Sequence, residues 1–147
     1  MKLGIVGWRG MVGAVLLKRM IEENDFTSFD TTFFSTSQKG ELGPKIPTQE
    51  ELPLKDAYSI PDLLAQEIIL TSQGSEYTKK LHGELRSKGW DGYWIDASSA
   101  LRQEPSSVLV LDPFNGTQIR SSLKNGRKDF IGANCTVSLM LMAIGFI

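Results

Sequence analysis

The sequence predicts an α/β fold, a doubly wound and mostly parallel sheet of the Rossmann-like type, formed by one domain over residues 1–147. Three observations predict it. Short apolar strands alternate with amphipathic helices, a glycine-rich turn follows the first strand, and polar or reactive residues follow several later strands. Ligands bind such sheets beside the carboxyl ends of the strands, so we expect functional residues in the loops that follow them.

The first strand, residues 3–6, runs into Gly7, Gly10 and Gly13, and a helix is predicted over residues 11–24. In a dinucleotide-binding turn the first glycine makes the tight turn and the second lets the backbone approach a pyrophosphate. The third lets the helix pack closely on the strand, while the helix N-terminus attracts the phosphates. The pattern predicts nucleotide binding, with a plain turn between strand and helix as the alternative.

The remaining elements follow in order. Strands are predicted over residues 31–35, 54–59, 67–71, 93–95, 108–111 and 129–131, and helices over 60–66, 76–88, 117–125 and from 135 onward. The stretch 38–53 holds three of the six prolines and is expected to be a long loop. The first helix is expected to place on one apolar face Val12, Val15, Leu16, Met20 and Ile21.

Composition excludes several classes of function. A net charge of −1 gives no basic surface of the kind that nucleic acid binding needs. The longest apolar run, residues 137–147, is too short to span a bilayer, and the N-terminus leaves no room for a signal peptide. The single cysteine cannot form an internal disulfide, as is typical of a reducing cytoplasm. We therefore expect a soluble cytoplasmic protein without nucleic acid, membrane or metal partners.

Polar residues follow the second predicted strand and bear on the choice of dinucleotide. An NAD-binding unit usually carries Asp or Glu there, about 20 residues after the glycines, to hold the ribose 2′-hydroxyl. Here residues 35–39 read Ser-Thr-Ser-Gln-Lys, without a carboxylate. The hydroxyls and the amide of this loop can donate hydrogen bonds to a 2′-phosphate, and Arg9 could add charge near the phosphates of the cofactor. This favours NADP, although these residues taken alone fit an ordinary polar turn equally well.

The only cysteine, Cys135, lies in what is predicted to be the first turn of the last helix. A helix N-terminus stabilises the thiolate, which is the nucleophilic form of a cysteine. Asn134 can donate a hydrogen bond toward an oxyanion formed beside it. The sequence thus marks a candidate nucleophile, with a buried cysteine that serves only packing as the alternative.

Six motifs together resemble bacterial aspartate-semialdehyde dehydrogenase, and the resemblance extends over the whole chain. The motifs are Gly-Trp-Arg-Gly-Met-Val-Gly (7–13), Phe-Phe-Ser-Thr-Ser-Gln (33–38), Gln-Gly (73–74), Trp-Ile-Asp-Ala-Ser-Ser (94–99), Leu-Arg (101–102) and Gly-Ala-Asn-Cys-Thr-Val-Ser (132–138). Their order and spacing fit the family.

The resemblance implies an enzyme that interconverts aspartyl 4-phosphate and aspartate 4-semialdehyde with NADP and phosphate, toward lysine, threonine and methionine. It implies that the Cys135 thiolate attacks the acyl phosphate, phosphate leaves, and hydride from NADPH reduces the thioester. The implied cofactor residues are Gly7, Arg9, Gly10, Met11, Val12, Gly13, Thr36, Ser37 and Gln73. The implied residues for substrate and phosphate are Arg102 and Asn134, beside the catalytic Cys135.

One departure from the family is large. The family enzyme is more than twice as long, and its second half supplies the substrate domain, most of the homodimer interface and a histidine acid/base. The only histidine here, His82, is expected to be a surface or interface residue without a catalytic role. The C-terminal Gly-Phe-Ile (145–147) has no helix stop, which predicts a truncated cofactor-binding half, inactive by itself.

Two alternatives remain at this point. One is a related reductase of the N-acetylglutamyl-phosphate type, which shares the fold and the cysteine. The other is an NADP-binding module without catalysis of its own, serving as a sensor or as the partner of a separate chain.

Overall fold

Helices separate most of the strands along the chain, and the strands join in one parallel sheet, which confirms the predicted fold class. The computed structural model describes residues 1–112 and 114–145. The strands are β1 (Lys2–Val6), β2 (Asp30–Ser35), β3 (Lys55–Asp56), β4 (Ile68–Thr71), β5 (Tyr93–Asp96), β6 (Ser107–Val110) and β7 (Asp129–Gly132). The helices are α1 (Met11–Glu22), α2 (Ile60–Leu64), α3 (Ser75–Ser87), α4 (Gly116–Lys124) and α5 (Cys135–Ile144), and a 3-10 turn at Asp25–Ser28 follows α1. The element predicted at 54–59 is reduced to the two residues of β3.

In the described part of the chain the strands form one sheet, in the order β3-β2-β1-β4-β5-β7-β6, with every neighbouring pair parallel. The chain starts in the middle of the sheet at β1, builds outward through β2 and β3, and then crosses to β4. Val6 at the end of β1 lies opposite Thr71 at the end of β4. The strand order therefore reverses between these two strands, and such switch points are where ligands bind in open parallel sheets.

Both faces of the central strands are buried, so neighbouring residues serve different cores. In β1, Ile5 belongs to the cluster under α1 and the adjacent Val6 to the cluster under α2 and α3. In β2, Phe33 and Phe34 divide in the same way. Successive strand residues point to opposite faces, so covering both faces with helices requires the near-continuous apolar runs seen in the sequence.

The buried face of α1 differs from the predicted one. Met20 is buried and Leu16 and Ile21 are partly buried, as expected, but Val12 and Val15 are 57% and 61% exposed. The helix instead turns Gly13 toward the sheet, and the apolar stripe then follows at the next helical turns from that glycine. The orientation of this helix is therefore determined by the close approach of Gly13 to the end of β1, and not by burial of its largest apolar residues.

His82 lies in a partly buried polar cluster behind the sheet, so it is not an exposed surface residue, and the other predicted position, at an interface, stays a prediction. Its Nε2 is 2.9 Å from Asp129 Oδ1, its side chain is 15% exposed, and its ring meets the buried Trp94 edge to face. Arg86 Nη2 donates to the same carboxylate at 2.6 Å. Burial raises the pKa of the Asp129 carboxyl, but the hydrogen bonds with His82 and Arg86 outweigh it and hold that pKa below its usual value.

The last helix, α5, is covered least. None of its residues is buried, and Leu139 and Met140 are more than half exposed. The prediction that the last helix lacks a stop signal rests on residues 145–147, of which 146 and 147 lie outside the described residues. Across residues 1–112 and 114–145, no helix has the length and apolar character needed to cross a membrane.

Candidate functional site

Gly7 forms the tight turn at the end of β1. Its φ is +81°, and a Cβ placed there would lie 2.6 Å from the backbone N of Gln73. The Ser72 hydroxyl donates a 2.9 Å hydrogen bond to the Gly7 carbonyl, and the Gly10 N–H donates to the same carbonyl at 3.1 Å. A side chain at position 7 would therefore strain the backbone, because of the positive φ, and would also clash with the loop after β4.

Gly13 lets α1 approach this turn. A Cβ at Gly13 would lie 2.6 Å from the Cα of Trp8 and 2.8 Å from the Ser72 Oγ. No larger residue fits there without moving the helix, as predicted for the third glycine. Gly10, the second glycine, has ordinary extended backbone angles and lies at the N-cap of α1. Its predicted role toward a pyrophosphate stays a prediction.

The N-terminus of α1 is suited to an anion. Its N-cap Gly10 makes no side-chain capping bond, and the first turn holds no acidic residue. The N–H groups at the start of a helix have no partner within the helix, so here they stay available at the positive end of its dipole. The side chains of Met11 and Val12 are exposed, and their predicted contact with phosphate would therefore use their backbone N–H groups.

These elements surround a cleft of about 400 Å³ at the switch point of the sheet. The lining comes from the turn after β1, the end of β2 and the loop after β4, namely Gly7, Trp8, Arg9, Gly10, Phe34, Ser35, Thr36, Ser72 and Gln73. Five of the nine predicted cofactor positions line this cleft, namely Gly7, Arg9, Gly10, Thr36 and Gln73. Three more, Met11, Val12 and Gly13, form the first turn of α1. The topology thus brings the residues that follow β1, β2 and β4 together at one edge of the sheet.

Arg9 joins the glycine turn to the loop after β2. Its Nη2 lies 3.2 Å from the Ser35 Oγ and 3.4 Å from the Ser37 Oγ, and its guanidinium lies over the Trp8 ring. The Ser35 Oγ also accepts the Gln38 N–H at 3.0 Å, which shapes this loop. The result is one positive charge among hydroxyl groups, an arrangement suited to a phosphate monoester.

Sequence reasoning missed Ser35, Ser72 and Trp8 as parts of the site. A serine at the last position of a buried strand is a signal that could have been used, since its hydroxyl can hold the following turn. Ser35 does this. No comparable signal exists for Ser72, whose hydrogen bond partner Gly7 lies 65 residues away in the chain.

The second part of the site follows β7. Asn134 is the N-cap of α5, and its Oδ1 accepts the Val137 N–H at 3.1 Å. Cys135, the first residue of the helix, is exposed, which disagrees with the alternative of a buried packing residue. Because the oxygen of the Asn134 amide is engaged in the cap, its nitrogen is the group left to donate toward a reacting oxygen.

Arg102 lies beside residues 132–133, which connect β7 to the helix that begins with Cys135. Its Nε donates to the Gly132 carbonyl at 2.9 Å, and its Nη2 is 3.4 Å from the carbonyls of Ala97 and Ala133. None of the hydrogen bonds in the described part of the chain uses Nη1. The guanidinium therefore presents this one nitrogen to an anion, rather than the two-pronged contact that an uncommitted arginine offers.

Asp96, at the end of β5, is not free to meet a ligand. Its carboxylate accepts the Thr78 hydroxyl at 2.6 Å and the N–H and hydroxyl of Ser98 at 2.7 and 2.8 Å. It therefore shapes the loop that leads to Arg102. Among residues 1–112 and 114–145, no group of three or more His, Cys, Asp or Glu side chains is placed to hold a metal ion.

Comparison with known proteins gives a consistent result. The family model for the NAD-binding domain of semialdehyde dehydrogenase matches residues 2–122. Aspartate semialdehyde dehydrogenase from Francisella tularensis is 56% identical, with a TM-score of 0.92, and the match covers 98% of this chain and 39% of that chain. This chain therefore spans well under half of the length of that relative.

More distant structures share the fold. Aspartate semialdehyde dehydrogenase II from Vibrio cholerae, in its complex with ASA, is 21% identical with a TM-score of 0.77, covering 97% of this chain and 44% of that chain. The enzyme from Candida albicans, solved with NADP, is 14% identical with a TM-score of 0.63, covering 95% and 44%.

Proposed function

The chain belongs to the semialdehyde dehydrogenase NAD-binding domain family, and from this we propose that it is the cofactor-binding part of an NADP-dependent aspartate-semialdehyde dehydrogenase. The observation that carries the proposal is the placement of Arg9 among the hydroxyls that follow β2, at the rim of the cleft. The 56% identity with the Francisella tularensis enzyme supports the choice of substrate over the N-acetylglutamyl-phosphate alternative.

The cleft fits a dinucleotide phosphate. The unsatisfied N–H groups of the first turn of α1 would hold the pyrophosphate, and Gly7 and Gly13 leave room for that turn. Arg9, Thr36 and Ser37 would hold the 2′-phosphate. The stretch 35–39 has no carboxylate to bind the 2′-hydroxyl of NAD or to repel a phosphate, so NADP is the better match.

The chemistry proposed for this chain rests on Cys135. Exposed at the start of α5, its thiolate would attack the acyl carbon of aspartyl 4-phosphate, forming a carbon–sulfur bond while phosphate leaves with the bonding electrons. Arg102 would meet that phosphate through Nη1, and Asn134 would donate to the carbonyl oxygen. When bound, NADPH supplies the hydride that the reduction to the aldehyde requires.

The acid/base of the reaction is not among the described residues at this site. The single histidine, His82, is held by Asp129 at the opposite edge of the sheet, where β7 begins. We propose that these 147 residues bind NADP but do not turn over without the remainder of the family's architecture. A cytoplasmic location, a homodimer and a role toward lysine, threonine and methionine belong to the same proposal.

Titration of the purified chain with NADPH and with NADH, followed by nicotinamide fluorescence, tests the proposal. We expect NADPH to bind at least tenfold more tightly, because a charge-assisted phosphate contact contributes about 1.5–3 kcal/mol. Ser37→Asp should reverse this preference by repelling the 2′-phosphate, while Ser106→Asp, the same change at an exposed loop serine, should not. Equal binding of the two cofactors would contradict the NADP assignment, and robust turnover of aspartate semialdehyde by this chain would contradict its inactivity.

A further inference from the structure

Arg102 is tied to three backbone carbonyls, and two of them lie directly before the cap of α5. The bonds go from Nε to Gly132 and from Nη2 to Ala133 and to Ala97. Gly132 ends β7 and Ala133 precedes the N-cap Asn134. One side chain thus bridges the loop after β5 and the short connection that delivers Cys135.

The base of this bridge is itself fixed. The Arg102 N–H closes a turn on the Ser99 carbonyl at 3.2 Å, and the preceding residues are held through Ser98 by the buried Asp96. The guanidinium is partly buried against the connection it holds. A planar side chain with several fixed donors suits this task, because a lysine cannot meet carbonyls in different directions from one ammonium group with the same geometry.

The helix that this bridge precedes has little else to hold it. None of the residues of α5 is buried, and its start is stabilised by the Asn134 cap. A ten-residue helix is only marginally stable without tertiary packing, so its first turn depends on how the chain enters it. The connection 132–133 and the Asn134 cap also determine the orientation of the first-turn N–H groups, and such groups stabilise a thiolate.

We propose that Arg102 is a positioning residue for Cys135, holding the connection 132–133 so that α5 begins with its N–H groups directed at the sulfur. This role is additional to phosphate binding and explains why the guanidinium faces carbonyls. The inference rests on the proposed function only in taking Cys135 as the nucleophile. It concerns the reactivity of the thiol, which can be measured without cofactor or substrate.

The test is the alkylation rate of the folded chain by iodoacetamide across neutral pH. Because the chain has one cysteine, the reaction reports Cys135 alone. We expect Arg102→Lys and Arg102→Met to lower the rate at neutral pH by about fivefold, the size typical of a helix-terminal effect on a charge. Arg127→Met removes another arginine that donates to a backbone carbonyl, that of Pro105 at 3.3 Å, and should leave the rate unchanged.

Arg102→Lys separates positioning from charge and guards against a variant that does not fold. Circular dichroism must show the wild-type spectrum, and all variants must react at one rate in concentrated urea. A wild-type alkylation rate in Arg102→Lys would overturn the proposal, since charge alone would then suffice. Failure of NADPH to bind the wild-type chain would contradict the proposed cofactor site and would not change this result.

Discussion

Gly13 and Trp8 approach so closely that a Cβ on the glycine would lie 2.6 Å from the Cα of the tryptophan. This contact presses α1 against the turn that leaves β1. The helix therefore presents its N-terminus directly to the cleft, and the apolar stripe of the helix is rotated to match. The position of α1 beside the cleft and the hydrophobic packing under α1 both depend on residue 13 being a glycine, which has no side chain.

Gly13→Ala should lower the free energy of unfolding by about 1–3 kcal/mol, because backbone on one side and Ser72 on the other leave the new methyl no space. Urea unfolding followed by circular dichroism measures the change. Gly83→Ala is the matched control, since that glycine lies within α3 with no neighbouring atom within 4 Å of a new Cβ. It should stabilise the chain by about 0.5–1 kcal/mol. Equal effects of the two substitutions would show that the close approach is not tight.

Asp129→Asn should lower the free energy of unfolding by about 3 kcal/mol at neutral pH, since it leaves the partly buried Arg86 without its carboxylate partner. Asp91→Asn, at an exposed residue that pairs with Lys128 at 3.5 Å, should leave the free energy of unfolding nearly unchanged.

The cost of Asp129→Asn should also depend on pH. The folded-state pKa of Asp129 lies below its usual value of 3.8, so its stabilisation is complete above that pH. It is lost as the pH falls through the lower folded-state pKa, where the carboxylate becomes protonated. The difference between wild type and variant should therefore shrink in acid below pH 3.8. A difference that grows on acidification would contradict the assigned direction of the shift.

Arg9→Met should weaken NADPH binding about tenfold or more while changing NADH binding less than about twofold, because only NADPH offers the 2′-phosphate. Calorimetric titration with both cofactors measures the two effects. Arg19→Met removes an arginine from α1, the helix that follows Arg9, and the partners of Arg19 are Glu22 and Glu23. It should change neither affinity. A parallel loss of NADPH and NADH binding would place Arg9 at the shared part of the dinucleotide instead.

Thr78→Val should destabilise the chain by about 2 kcal/mol, because it removes the 2.6 Å hydrogen bond to the buried Asp96 carboxylate and leaves the shape otherwise unchanged. Thermal unfolding measures the loss. Thr117→Val, at an exposed position near the start of α4, is the control and should have little effect. A neutral result at Thr78 would mean that Ser98 and the Trp94 indole, which donates at 3.4 Å, satisfy the carboxylate without it.

Most of the fold could be predicted because its signals are local. The glycine spacing at 7–13, the apolar strand 68–71 and the glycine after α3 each determine a short stretch by their own conformational preferences. Gly89 follows Lys88, the C-cap of α3, and has a φ of +84°, the left-handed conformation that glycine favours at this position after a helix. The core face of α1 was misjudged because apolar periodicity cannot show which residue lies at the closest contact.

The sequence predicted many of the residues that belong to the candidate site, but it predicted less of how they are arranged in space. Thr36 and Ser37 could be chosen from their position after a strand, whereas the approach of Arg9 to Ser35 depends on how two loops fold across neighbouring strands. The sequence could not show that His82 is paired, because a histidine between Leu81 and Gly83 carries no sign of its partner, 47 residues away. Long-range polar pairs leave no periodic pattern in a sequence.

The lack of buried residues in α5 implies unequal motion within one site. Local opening costs least where few contacts are lost, so the amide protons of α5 should exchange with deuterium well before those of β1 and β4. The cofactor would then enter a preformed cleft with little rearrangement. The Cys135 sulfur, by contrast, would sample several positions on the time scale on which the end of the helix frays.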